Sequence, residues 1–150
     1  MRLSRIFRKE FFITLFIKQN KWHRYGVLGH TLKLIYHVIK NNRSDMIMAG
    51  LLHDIGKPII AYQDDEDKKT GEYSFHNHEE LSYQIIKNWP VSNFTKKLVR
   101  FHYLIRGMYK AKQKNQLGKY HRMKRSYENL DLNFINELKV FMEFDDLAKN

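Results

Sequence analysis

Apolar residues recur at three- and four-residue steps through most of the chain. Between residues 22 and 40 the repeating positions are Val27, Leu28, Thr31, Leu32, Leu34, Ile35, Val38 and Ile39. That period marks one buried helical face and predicts a helix over 22–40. The apolar run Met46 to Leu52 predicts a second helix over 44–55, with Ser44 or Asp45 as its N-cap. Gly56 and Pro58 are expected to end it, Gly through a left-handed stop and Pro because it cannot continue a helix. A third helix opens at His78-Glu79-Glu80, where acidic residues suit the first turn, and runs to about Asn88 with Leu81, Ile85 and Ile86 inward. Trp89-Pro90 breaks the chain, and Ser92 or Asn93 caps a fourth helix whose stripe is Leu98, Phe101, His102 and Ile105. The last helix is capped by Asp131 or Asn133 and carries Phe134, Leu138 and Phe141 inward. Residues 62–72 are polar with no apolar period and read as a loop. No strand-like alternation competes, so the expected fold is all-α, a single-domain helical bundle with a site between helices.

Several polar residues sit on these apolar faces. His30 falls between Val27 and Leu34, His53 and Asp54 occupy the last turn of their helix, and His102 lies on the inward side of its own. Continuing the step from Phe141 lands on Asp145, with Asp146 one residue off the face. A carboxylate on an apolar stripe is costly unless it is paired or bound to metal, which singles out Asp145. His23 and His37 share the face of His30, but each lies about 10 Å along the axis and cannot join it on one ion. The acidic run Asp64 to Asp67 lacks the EF-hand spacing and reads as a solvated loop, able to act as a lid. Imidazole and carboxylate ligands without Cys suit Mn²⁺, Fe²⁺, Zn²⁺ or Mg²⁺ alike.

Composition narrows the classes. With 150 residues the chain is one domain with its own core, and the absence of Cys excludes a disulfide framework and fits a reducing, cytoplasmic setting. There is no nucleophilic Cys, no Gly-x-Ser-x-Gly elbow and no P-loop, which argues against covalent hydrolase chemistry and against a nucleotide-driven motor or kinase. Residues 1–21 form a separate basic and apolar segment; Arg2, Arg5 and Arg8 precede the run Phe11 to Ile17. That run is too short for a membrane span, and a surface-lying helix is the minor alternative. The net charge of +11 favours an anionic partner. From Leu81 to Tyr127 there is no Asp or Glu, while twelve Lys and Arg residues interleave with tyrosines. Residues 96–125 therefore carry the footprint of a nucleic-acid contact.

The ordered set His30, His53-Asp54, His78, His102, Asp145 resembles the HD superfamily of metal-dependent phosphohydrolases over roughly residues 22–148, and His53-Asp54-Ile55-Gly56-Lys57 looks like its HDIG-type branch. Phe75-His76-Asn77-His78-Glu79 matches the family's Phe-x-x-His-Glu segment with His78 as ligand, and Asp145-Asp146-Leu147-Ala148 its Asp-x-Leu-Ala segment. His76 is then a supporting residue or a loop residue. The stretch His78 to Ser82 is similar to the HD domains attached to bacterial tRNA nucleotidyltransferases.

The resemblance implies an HD-like domain over 22–150 that binds two divalent ions through His30, His53, Asp54, His78, His102 and Asp145. Asp54 would bridge the ions and serve the chemistry directly. Two ions about 3.5–4 Å apart can acidify water and clamp a phosphoryl group. Lys57, four residues past His53, is the first choice for a catalytic cation on the phosphoryl oxygens, and Arg106, one turn past His102, is the second substrate-binding candidate. The expected substrate is a phosphomonoester or phosphodiester of a nucleotide or nucleic-acid end, cleaved by a phosphatase or phosphodiesterase activity. The competing reading is a nucleic-acid-binding module whose metal site is structural. Oligomeric state is left open by the sequence.

Overall fold

The computed structural model describes residue 24 and residues 26–149 of the chain. The expectations for residues 1–21, and for His23, lie outside the described residues. Among the described residues the helices are α1 (Val27–Lys40), α2 (Ile47–Leu52), α3 (Lys57–Ile60), α4 (Asp65–Thr70), α5 (His78–Ile86), α6 (Asn93–Phe101), α7 (Leu104–Gln113), α8 (Leu117–Glu128) and α9 (Leu132–Leu147). A 3-10 turn, Ser44–Met46, precedes α2. No strand forms among the described residues; an isolated antiparallel bridge joins Tyr62 to Ser74.

The core lies where α1, α2, α6 and α9 meet. Leu34 and Val38 come from α1, Ala49 and Leu52 from α2, Leu98 and Val99 from α6, and Leu138 and Phe141 from α9. Burying each large side chain of this kind stabilises the fold by about 1.5–3 kcal/mol. Phe141 is fully buried, and its ring stands edge-on to His53 at 5.9 Å, so the core runs directly into the polar cluster. Asp131 caps α9 by accepting from the Phe134 backbone N–H at 2.8 Å, and Ser92 caps α6 by accepting from Thr95 at 3.0 Å.

Several expectations are corrected. The apolar face of α1 is narrower than the sequence stripe. Val27, Thr31, Leu34 and Val38 are buried together, while Leu32 and Ile39 lie well round the helix at 57% and 56% exposure. The second helix is shorter than 44–55, and neither Ser44 nor Asp45 caps it through a side chain. The Asp45 carboxylate instead accepts from the Arg43 guanidinium, which also reaches Glu137 on α9. Residues 62–72 are not a bare loop. Asp64 Oδ1 accepts from Glu66 and Asp67 backbone N–H groups, Asp67 returns the bond, and acidic then basic residues follow the dipole along α4. A helix with no buried residue has no apolar period to detect, so only the Asp64–Asp67 capping pair announced it.

Gly56 does not make a left-handed stop; its φ is −78°. What it supplies is space. A Cβ there would lie 2.9 Å from the His78 carbonyl oxygen and 2.9 Å from the Ser82 nitrogen. The Gly56 N–H also donates to the Ser82 hydroxyl at 3.0 Å; Ser82 is fully buried beside Ile86, and Ile85 packs partly buried against the core. Pro58 sits in the first turn of α3, where no amide donor is needed, so it starts a helix as well as ending one. The fourth stripe is split: α6 stops at Phe101, His102 and Tyr103 form a turn, and α7 restarts at Leu104. α7 and α8 then pack as a hairpin in which α8 buries no residue fully.

Candidate metal centre

The sequence-predicted ligands come from five helices or their ends. His30 lies within α1 and Asp145 within α9. His53 is the residue after α2, with Asp54 next to it; His102 is the residue after α6, and His78 is the first residue of α5. Helix ends suit this role because a terminal side chain can lean into the space between neighbouring elements. All six are buried, none more than 8% exposed.

Asp54 stands at the middle. Its Oδ2 lies 3.1 Å from His53 Nε2 and 4.0 Å from His30 Nε2. Its Oδ1 lies 3.3 Å from His78 Nε2 and 3.7 Å from His102 Nε2. The two oxygens of one carboxylate therefore face two different pairs of imidazoles. Asp145 Oδ1 adds to the first group, 2.8 Å from His30 Nε2 and 3.7 Å from His53 Nε2. The atoms of His30, His53 and Asp54 are close enough to share one ion, and so are those of Asp54, His78 and His102.

The other ring nitrogens fix the tautomers. His53 Nδ1 is 2.8 Å from the Gly50 carbonyl, His78 Nδ1 is 2.9 Å from that of Phe75, and His102 Nδ1 is 2.7 Å from that of Val99. His30 Nδ1 faces the Ala148 carbonyl at 3.3 Å. A carbonyl only accepts, so Nδ1 donates on His53, His78 and His102 and Nε2 of each faces the centre, whereas His30 Nε2 donates to the Asp145 carboxylate at 2.8 Å. This is the outer support typical of metal-bound histidine. It also brings His78 Nε2 within 3.1 Å of His102 Nε2, two ring nitrogens close enough to share one cation.

His53 Nε2 and both Asp54 oxygens are buried without an aligned hydrogen bond. Lys57 Nζ approaches Asp54 Oδ2 to 2.7 Å as an ion pair and is itself buried. Burial penalises the Asp54 anion, yet His53 and Lys57 outweigh that and hold it well below the usual carboxylate range. Burial likewise opposes the Asp145 anion, but the His30 hydrogen bond and the Arg106 charge keep it ionised. For His102, burial and the neighbouring His53 and His78 all push the pKa well down, so the ring is neutral and free to donate its lone pair. His53 is pulled down by burial and raised on balance by Asp54. Converging imidazole nitrogens and carboxylate oxygens, buried and short of partners, fit divalent ions of the Mn²⁺, Fe²⁺, Zn²⁺ or Mg²⁺ type.

The remaining candidates are placed as follows. Arg106 is largely buried, with Nη1 2.7 Å from Asp145 Oδ2 and Nη2 2.6 Å from Asp146 Oδ1. Asp146 itself is exposed. His37 meets the Tyr36 ring edge-on and takes no part in the cluster, and His76 is exposed. Two further residues lie beside the centre. Tyr103 is 5.9 Å from His78, ring to ring, and Glu79 buries one carboxylate oxygen 3.4 Å from His78 Nδ1. Glu79 closes the Phe-x-x-His-Glu match, whereas the only clue to Tyr103 was adjacency to His102.

A family model described as HD domain matches residues 23–149. No curated protein and no solved structure matches the chain.

Proposed function

We propose, on the premise that the chain belongs to the HD domain family of metal-dependent phosphohydrolases, that it hydrolyses a phosphate ester of a nucleotide or of a nucleic-acid end. The observation that carries the reading is Asp54, whose two oxygens each face a separate pair of imidazoles. Such a carboxylate can serve two ions at once. The bound ions would acidify water and offset charge on the phosphoryl oxygens.

The chain's own residues do the rest. His30, His53 and Asp145 would hold the first ion with Asp54, and His78 and His102 the second. The Nδ1 bonds to backbone carbonyls keep the His53, His78 and His102 rings aimed inward, with Nε2 toward the centre. Lys57, beside the bridging carboxylate, is the proposed catalytic cation, placed to meet charge that grows on the phosphoryl group. Arg106 anchors Asp145 with one nitrogen and meets the exposed Asp146 with the other; the proposed substrate contact exchanges Asp146 for a phosphate. No helix among the described residues is long and apolar enough to cross a membrane, and the Cys-free composition supports a reducing compartment such as the cytoplasm.

The test is metal analysis of the purified protein joined to a screen of phosphomonoesters, cyclic phosphodiesters and nucleoside triphosphates. Hydrolysis of at least one class, present with Mn²⁺ and lost on chelation, is the expected result; it also separates phosphatase from phosphodiesterase. A metal-loaded protein inactive on every class would favour the second reading, a nucleic-acid-binding module with a structural metal site, which the acid-free stretch Leu81 to Tyr127 supports.

A further inference from the structure

The α7–α8 hairpin carries a dense positive surface. Lys110, Lys114, Lys119, Arg122, Lys124 and Arg125 all belong to a stretch without one Asp or Glu, and all are exposed. Solvated faces ordinarily mix signs. Burial first, and then Arg106, Lys149, Lys114 and Lys119, depress the pKa of Lys110, so these five cations lie near one another, while Lys124 pairs with Glu128. Crowding of this kind opposes folding and is relieved by an anion.

The positive surface leads to the candidate centre. Lys110 Nζ lies 5.8 Å from the Tyr103 ring centroid, and Tyr103 packs on His78. Beside this path is a cleft of about 230 Å³ between the start of α5 and α8. Phe101, Leu104 and Met123 give it an apolar floor, while Glu79, Arg122 and Ser126 supply polar groups. One Glu79 oxygen is buried 3.4 Å from His78 Nδ1, so the polar end of the cleft adjoins the candidate centre. A space of that size admits one nucleoside and no base pair. The cations of α8 run from Lys119 to Arg125, about 9 Å along the axis, and Lys114 and Lys110 continue the positive surface onto the end of α7, so it extends past the cleft.

We propose that the hairpin and this cleft together seat the end of a single-stranded nucleic acid, with the terminal nucleoside in the cleft and the preceding phosphates along α8. The inference deepens the hydrolase reading by naming its substrate class and rests on that reading for what happens to the end once seated. Nucleoside stacking on the apolar floor gives affinity without sequence readout. The phosphates give a salt-dependent share of it.

The experiment measures binding alone, so its failure is separate from a failure of hydrolysis. A labelled 12-nucleotide strand is titrated with the full chain in chelator, by fluorescence anisotropy, across 50–200 mM salt. Each neutralised phosphate of a single strand contributes about −0.7 to the log–log slope. The triple variant Lys114→Glu, Lys119→Glu, Arg122→Glu should bind at least tenfold more weakly and flatten the slope by about 2, three contacts' worth. A control that reverses the same number of charges elsewhere, Lys68→Glu, Lys69→Glu, Lys139→Glu, should leave the slope within about 0.7 of wild type. Ser126→Phe, which fills the cleft, should weaken binding while leaving the slope unchanged. A blunt duplex of the same sequence should bind more weakly than the strand. Equal effects of the two triple variants would reduce the hairpin to a share of overall charge and overturn the proposal. So would a duplex that binds as well as the strand, or Ser126→Phe with wild-type affinity. Circular dichroism checks the fold of each variant, and Arg122→Gln alone stands in should the triple variant unfold.

Discussion

Arg106 grips one oxygen of Asp145 at 2.7 Å and leaves the other 2.8 Å from His30, so an arginine on α7 sets the angle at which a carboxylate on α9 meets the histidine cluster. Asp146 takes the other arm of the same guanidinium but points to solvent. The two adjacent aspartates are therefore unequal. Asp145→Ala should abolish metal-dependent activity and reduce bound metal, whereas Asp146→Ala should keep most of both. Arg106→Ala should weaken metal binding about 10–100-fold, the usual cost of losing an outer support. Calorimetric titration with Mn²⁺ checks all three, and equal losses in the two aspartate variants with the fold intact would refute the assignment.

The arrangement around Asp54 predicts two ions per chain. His78→Ala and His102→Ala should each lower the count from two to one, because His30, His53, Asp54 and Asp145 remain as a complete donor set. Elemental analysis at saturating Mn²⁺ gives the answer. A wild-type count of one would remove the second ion from the mechanism.

Lys57 separates binding from chemistry. A cation beside the bridge should matter more as charge grows on the phosphoryl group than for holding metal. Lys57→Ala is expected to keep the metal content and lose about 10²–10³ in kcat, by analogy with loss of one oxyanion-hole donor. Turnover equal to wild type on a hydrolysed substrate would exclude Lys57 from catalysis.

Gly56→Ala tests how the second half of the centre is positioned. The added Cβ would sit 2.9 Å from backbone atoms of α5, which cannot yield as a side-chain tip would. The expected cost is about 1–3 kcal/mol of stability. Affinity for the second ion should fall further than for the first, since the α5 start carries His78, a ligand of the second group alone. Thermal melting and the metal count together check it; a variant as stable as wild type would show that α5 has room to move.

Much of the architecture is legible in the sequence because it rests on period. The faces of α1 and α9 repeat at helical steps, and His30 and Asp145 interrupt them at positions where a polar group needs a reason. Features that depend on distant partners are not legible. Nothing near Gly56 shows that its hydrogen atom is needed by Ser82, 26 residues away. Nothing near Arg106 shows that it will close on Asp145, 39 residues on. The shift of Asp45 from cap to ion pair has the same cause, a rival partner in Arg43 whose second contact, Glu137, lies on α9. Periodicity reports which side of a helix is inside; it does not report which groups meet there.

The pairing of His30 with Asp145 also has a consequence for the chain as a polymer. These residues are 115 apart in sequence, whereas His78 and His102 are 24 apart. An ion held by the first pair would cross-link the first and last described helices and close a loop that includes nearly all of the described chain. Loop-closure entropy grows by roughly 0.6 kcal/mol for each doubling of length, so the longer tie costs more to form from the unfolded chain. The His78–His102 half can assemble from short-range contacts, while the His30–Asp145 half waits for the ends to meet. Filling the centre would then complete the domain topologically, with the first ion fastening α1 to α9 as a clasp fastens a strap.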